Sequence, residues 1–236
     1  MNSALIIAGG TGSRVGQAIP KQFINVYDKP IIIYTLEGFQ KHPLVDAIEV
    51  VCIDGWQDLV LAYAKQFNIT KLKWITTGGK TGQESIRNGL VNLKGVLSSD
   101  DIVIIHDAIR PLVDDEVLSD VIQVCKKYGN AVTSLPYNEQ IFTTTDGKTT
   151  TNYIPRDTLR RVSTPQAYNY QKLLSVYEQA FLENKGISNS SYANTLMVDY
   201  GETLHFAIGS DKNIKITTKD DLELFKAMIA KKEYRL

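Results

Sequence analysis

Short apolar runs follow one another along this chain with helix-period segments between them, and that rhythm limits the folds open to it more than any other feature. The runs are Ala4–Ala8, Ile48–Ile53, Lys73–Thr76, Ile102–Ile105, Ala131–Leu135 and Thr203–Ile208. Several are apolar without alternation, as expected of parallel strands covered on both faces. Apolar spacing between them predicts helices over Ile31–Lys41, Gln57–Phe67, Gln83–Leu93, Glu116–Tyr128, Gln171–Glu183 and Asp220–Lys231. Thr81-x-x-Glu84 and Thr218-x-x-Asp221 read as capping-box starts, the second with the shorter acid. Repeated strand–helix units predict a Rossmann-like α/β fold, a doubly wound and mostly parallel sheet, in one domain over residues 1–236. Ligands of such sheets bind beyond the strand C-termini, so chemistry is expected in the residues directly after each strand.

Charge narrows the classes of partner. Lys plus Arg and Asp plus Glu number 26 each, so no overall field draws in nucleic acid or an anionic membrane, and any anion must be held by a local cation cluster. No apolar stretch approaches the ~20 residues needed to cross a bilayer, and the apolar start lacks the basic region of a signal peptide. Cys52 and Cys125 have no partners at metal-ligand spacing and read as small buried hydrophobes in a reducing, cytoplasmic setting. With three histidines in all, a histidine-based metal site is not expected.

One segment breaks the rhythm. Residues 137–162 are polar and threonine-rich with Asp146-Gly147 at the middle, which reads as a β-hairpin arm projecting from the body. Such an arm could pair with a second subunit, close over the site, or be a plain surface excursion.

The first strand runs into Leu5-Ile-Ile-Ala-Gly-Gly-Thr-Gly-Ser-Arg14. The dinucleotide fingerprint G-x-G-x-x-G is missed by one residue, since Gly10 and Gly12 are followed by Gly16, and no Gly-Lys-Ser or Gly-Lys-Thr completes a P-loop. Successive glycines still let backbone N–H groups approach phosphate oxygens closely. Arg14 and Lys21 add positive charge to the same polyanion; alone, the turn could equally be a tight strand-to-helix connection with a surface arginine. The strand of residues 101–105 ends in His106-Asp-Ala-Ile-Arg-Pro111. A carboxylate at that edge is well placed to hold Mg²⁺ against a triphosphate, and Arg110 to clamp a phosphate, unless Asp107 and Arg110 simply pair with each other. His106 reads as a packed, hydrogen-bonded residue rather than an acid or base.

Five stretches in order, AGGTGSR (8–14) with PKQF (20–23), GGKTGQESIRNGL (78–90), HDAIRP (106–111), TPQAY (164–168) and NIKITTKDDL (213–222), together resemble the cytidylyltransferases that act on methylerythritol phosphate, ribitol phosphate and related polyol phosphates. The resemblance covers nearly the whole chain. It implies that CTP lies on Ala8, Gly9, Gly10 and Gly12 with Ala108 beside them. It implies further that Arg14, Lys21 and Lys215 act on the reacting phosphates, and that Gly79, Lys80 and Ser85 select cytosine. Asp107 would bind Mg²⁺ on the acceptor side, where Arg110, Gln140, Arg156 and Thr164 would hold the polyol phosphate. Arg156 would reach in from a neighbouring subunit of a homodimer built through the arm. The acceptor phosphate is mostly a dianion near neutral pH, with a second pKa of about 6, and needs no protein nucleophile or base.

Three departures fall outside the resemblance. Glu139-Gln140 stand where the methylerythritol phosphate enzymes have Asp-Thr, Tyr192-Ala193-Asn194 where they have Thr-Asp-Asp or Thr-Asp-Glu, and Gly82 where an arginine is common. The first two lie on the acceptor side, and a pocket that hydrogen-bonds its substrate's hydroxyls disfavours one lacking matching groups. The expected activity is therefore transfer of CMP from CTP to glycerol phosphate or ribitol phosphate, supplying a CDP-polyol for wall or capsule polymers. Methylerythritol phosphate is the alternative acceptor; a silent nucleotide-binding paralogue and a sugar-1-phosphate nucleotidyltransferase are the other readings.

Overall fold

A computed structural model describes residues 1–10, 19–188 and 192–234, with side chains described as far as residue 231. Its centre is a seven-stranded sheet of β1 (Asn2–Ala8), β4 (Ala47–Cys52), β5 (Leu72–Thr77), β6 (Ile102–Asp107), β7 (Asn130–Pro136), β10 (Arg160–Asn169) and β11 (Phe206–Ile208), in the order β11-β7-β10-β6-β1-β4-β5. Two short strands, β2 (Asn25–Val26) and β3 (Lys29–Pro30), pair antiparallel outside it. β4 and β6 both lie parallel to β1, β5 is parallel to β4 and β11 to β7, while β10 runs antiparallel between β6 and β7.

Alternation along β1 explains the layers. Successive side chains of a strand point to opposite faces, so Ala4, Ile6 and Ala8 join one core and Leu5 another. The first core takes Ile32, Ile33, Leu36 and Phe39 of α1 (Ile31–Lys41), Val60 of α2 (Gln57–Gln66) and Leu118, Val121 and Ile122 of α4 (Asp115–Tyr128). The second takes Ile86 and Leu90 of α3 (Gly82–Asn92), Leu173 and Tyr177 of α5 (Tyr170–Glu183), and Leu196 and Met197 of α6 (Ala193–Asp199). A third cluster seats α7 (Lys219–Tyr234) through Phe225 against Tyr34 and Ile216. Burial on both faces is why the strands read as continuous apolar runs. Cys52 and Cys125 are buried and unpaired, and burial pushes their thiols up to about 11 and about 12.

The expected strands and helices are all present, with ends shifted by a residue or a few. β11 is shorter, three residues from Phe206 rather than six from Thr203, and α7 runs three residues past the expected Lys231. β10 and α6 were not expected. The inner half of β10 is buried and its outer half is exposed, beginning with Arg160 and Arg161, so neither a run nor an alternation stands out. α6 has seven residues, buried at Ala193, Asn194, Leu196 and Met197, too few for periodicity to separate it from a loop.

Both capping residues act, though differently. Thr218 Oγ1 accepts from the Asp221 N–H while Asp221 Oδ2 accepts from the Thr218 N–H, a full reciprocal box. Thr81 Oγ1 accepts from the Glu84 N–H, but Glu84 returns to the Lys80 N–H instead of that of Thr81. The arm is a separate two-stranded sheet of β8 (Ile141–Thr143) and β9 (Asn152–Ile154), and no residue of 137–162 is buried. Asp146-Gly147 does not form a two-residue turn there. Asp146 instead organises a longer loop, accepting from the N–H groups of Lys148 and Thr149 and the hydroxyls of Thr144 and Thr149.

Candidate active site

The chain lays β4 and β5 to one side of β1, then crosses back through α3 to place β6 on the other side. This reversal puts the ends of β1 and β6 side by side, with Ile7 opposite Asp107 and the Ala108 N–H donating to the Ile7 carbonyl at 3.0 Å. Such a switch point is where open α/β sheets bind ligands. A cleft of about 830 Å³ opens there.

Its floor is built from three approaches of backbone. The Ile53 N–H reaches the Ala8 carbonyl and the Gly78 N–H reaches that of Cys52, so the ends of β1, β4 and β5 are stitched together. The loop after β5 then comes up against the glycine turn: a Cβ on Gly9 would sit 3.0 Å from Ser85 Oγ. Ser85 Oγ accepts from the Gly79 N–H at 3.0 Å and donates to the Thr81 carbonyl at 2.9 Å. Its single proton is thus spent on the loop, leaving an acceptor lone pair. Gly79 admits no side chain, because a Cβ would fall 2.2 Å from Glu84 Cβ.

The opposite wall carries charge. Asp107 Oδ2 receives Arg110 Nε at 3.0 Å and Lys215 Nζ at 3.1 Å, with the Thr164 hydroxyl at 3.4 Å. Burial works against the Asp107 charge, but Lys215, Arg110 and His106 outweigh it and hold the carboxyl below its usual range. Arg110 also donates from Nη1 to the Asn213 carbonyl at 2.8 Å, and Asn213 Nδ2 donates to the Thr164 carbonyl at 2.6 Å. Lys215 lies on an irregular segment held to the body by its neighbour: the Ile216 N–H bonds the Ile109 carbonyl and the Ile216 side chain is fully buried. His106 is buried, donates from Nε2 to the Arg110 carbonyl, and is pushed down to about 4 by desolvation. Near neutral pH it is an uncharged packing residue.

Ten of the expected site residues line the one cleft: Ala8, Gly9, Gly10, Lys21, Gly79, Lys80, Ser85, Asp107, Ala108 and Lys215. Arg110 and Thr164 stand behind Asp107 and touch it, so the Asp107–Arg110 pair exists within the chain. Gln140 and Arg156 do not line the cleft; both sit on the arm, beside Phe142 and Tyr153. Gly12 and Arg14 lie outside the described residues. Gln22, Asp54, Glu84 and Thr217 also line the cleft without having been expected there. Among the described residues no group of three or more His, Cys, Asp or Glu could hold a metal ion. Asp54, Glu84 and Asp107 are the described carboxylates that line the cleft, and the one expected to hold Mg²⁺ is Asp107, whose Oδ2 is paired with Arg110 and Lys215. One carboxylate suits an ion which uses one or two and completes its shell with phosphate oxygens and water.

Comparison with known proteins matches residues 3–231 to the family model "IspD: 2-C-methyl-D-erythritol 4-phosphate cytidylyltransferase". The chain belongs to the IspD family. It is an enzyme of the nucleotidyltransferase class, a cytidylyltransferase. Among IspD-family relatives, a ribitol-5-phosphate cytidylyltransferase of Lacticaseibacillus paracasei is 58% identical over 99% of this chain and 100% of its own length. One of Vibrio parahaemolyticus is 37% identical over 99% and 98%. A 2-C-methyl-D-erythritol 4-phosphate cytidylyltransferase of Clostridium botulinum is 34% identical over 98% of both chains. Of the solved structures, the Francisella tularensis IspD matches with a TM-score of 0.77 at 27% identity, covering 95% of this chain and 98% of that one. The α/β architecture expected from the strand–helix rhythm is the IspD architecture.

Proposed function

We propose that this enzyme transfers CMP from CTP to ribitol 5-phosphate, giving CDP-ribitol and pyrophosphate. The observation that carries the reading is the 58% identity, end to end, with a protein named for that acceptor, against 34% for one named for methylerythritol phosphate. The residues on the acceptor side support it, since Glu139, Gln140, Tyr192 and Asn194 replace the groups by which the resemblance distinguishes methylerythritol phosphate enzymes.

The chemistry follows from the charges around the cleft. A phosphate oxygen of the acceptor attacks the α-phosphorus of CTP, a new P–O bond forms, and the bond to the bridging oxygen breaks as pyrophosphate leaves with the electron pair. No proton need be removed from the attacking dianion, which suits a site whose histidine is buried and neutral. The barrier is the approach of two anions, and Lys21 and Lys215, which both line the cleft, offset it. The loop of Gly79, Lys80 and Ser85 offers small polar contacts to the base. Arg110, bonded to both Asp107 and Asn213, holds that carboxylate in place. Mg²⁺ on Asp107 would neutralise charge on the phosphates when bound. A homodimer through the arm would bring Gln140 and Arg156 to a neighbour's cleft; Phe142 and Tyr153, 54% and 68% exposed, give the arm an apolar surface to bury. The reaction belongs in the cytoplasm, and its product suits a donor for wall or capsule polymers.

A panel of ribitol 5-phosphate, glycerol 3-phosphate and methylerythritol phosphate, each offered with CTP and Mg²⁺ and followed by pyrophosphate release, tests the assignment. The highest kcat/KM is expected with ribitol 5-phosphate. Preference for methylerythritol phosphate would overturn the acceptor, and tight CTP binding without turnover on any acceptor would favour a binding-only protein.

A further inference from the structure

Gln22 follows Lys21 in a short 3-10 turn, Lys21–Phe23, whose next residue, Phe23, stacks on Trp56 with ring centroids 4.6 Å apart. Its side chain is 2% exposed, yet it lines the same cleft as the glycine turn. Both amide protons are spent on that turn: Nε2 donates to the Ala8 carbonyl at 2.8 Å and to the Gly10 carbonyl at 2.9 Å. We infer that Gln22 is the positioning residue for the nucleotide, locking the glycine turn and Lys21 into one unit with the turn's carbonyls held away from the phosphates.

A glycine turn is conformationally permissive, and its peptides can present either N–H or C=O to a ligand. A carbonyl oxygen facing a triphosphate would repel it, whereas one committed to a buried donor cannot turn toward it. The Gln22 amide commits that of Gly10 and adds a second donor to that of Ala8, which the Ile53 N–H also holds. Because the same residue is the backbone neighbour of Lys21, the position of the lysine is fixed relative to the turn by one side chain. A glutamine is suited to this task and a glutamate is not, since the amide offers two donors where a carboxylate offers only acceptors.

This inference rests on the reading of the cleft as a CTP site. The test compares wild type with Gln22→Met, which keeps the volume and removes both donors, and Gln22→Asn, which keeps the amide and shortens its reach. CTP affinity is read by calorimetry, KM for CTP and for ribitol 5-phosphate by pyrophosphate release, and folding by thermal melting. In both variants the dissociation constant and KM for CTP should rise about tenfold or more. The acceptor KM should stay near that of wild type, and the melting temperature should fall by no more than about 4–8 °C, the effect of losing two buried hydrogen bonds in a chain of this size. CTP affinity within twofold of wild type in either folded variant would overturn the inference, as would CTP and acceptor affinities falling together with the melting temperature. Wild-type protein that fails to bind CTP would instead overturn the nucleotide reading itself, and this inference with it.

Discussion

Two buried or half-buried charges of this chain have opposite circumstances, and each yields a test. Lys21 lines the cleft from a turn whose next residues are anchored, Gln22 by hydrogen bonds to Ala8 and Gly10 and Phe23 by stacking on Trp56. Lys21→Ala should therefore lower kcat by ~10²–10³, the usual effect of deleting one preorganised charge-stabilising group, with the melting temperature little changed. Steady-state kinetics beside a thermal melt checks this, and wild-type turnover in the variant would remove Lys21 from the mechanism. Glu49 is the contrary case: it is fully buried in β4, with Thr76 and Asn92 donating to Oε1 and nothing described on Oε2. Burial raises its pKa from 4.5 to about 7. The folded protein thus keeps a proton that the unfolded chain has lost between those values, so this residue's contribution to stability falls as pH rises through the window. The full penalty, about 3 kcal/mol at 1.36 kcal/mol per unit, is present above pH 7. Glu49→Gln should flatten the stability profile between pH 5 and 8 and raise stability at pH 8, as measured by urea denaturation; an unchanged slope would show that Glu49 stays ionised throughout.

At the scale of elements, the N-terminus of α3 joins fold to chemistry. Thr81 caps the helix while its carbonyl holds Ser85, whose hydroxyl in turn holds Gly79. Thr81→Ala should cost about 1 kcal/mol, a fall in melting temperature of about 2–4 °C for a chain of this size. The Ser85 link survives that change because it runs through backbone, so KM for CTP should move little by comparison; a large rise in KM with no thermal effect would assign Thr81 to the ligand instead. Elements differed in how plainly the sequence announced them. β1, β4 and β6 are buried on both faces, so their apolar runs are unmistakable, and the Gly9–Gly10 turn follows β1 and Asp107 ends β6, close to where they were expected. β10 was hidden because its exposed arginines and buried inner half average out, and α6 because seven residues carry no period. Gln22 and Asn213 were illegible for another reason. Their roles depend on carbonyls at Ala8, Gly10 and, through Arg110 and Thr164, on a wall assembled from distant parts of the chain.

At the scale of the whole molecule, one chain provides a cleft with its cations but leaves Gln140 and Arg156 out on the arm. If those residues serve a neighbour, replacing Phe142 and Tyr153 by serine should shift the protein from dimer to monomer in light scattering and raise the acceptor KM more than that for CTP. A wild-type monomer with full activity would contradict a site shared between subunits. In the proposed reaction, lysines near the two ends of the sequence serve one phosphorus atom beside Asp107. A crystal structure with CTP bound measures it most directly: Lys21 and Lys215 should both lie within hydrogen-bonding reach of the α-phosphoryl oxygens, with Asp107 facing the same group. Phosphates lying outside this cleft, or reached by one lysine while the other stays remote, would contradict it.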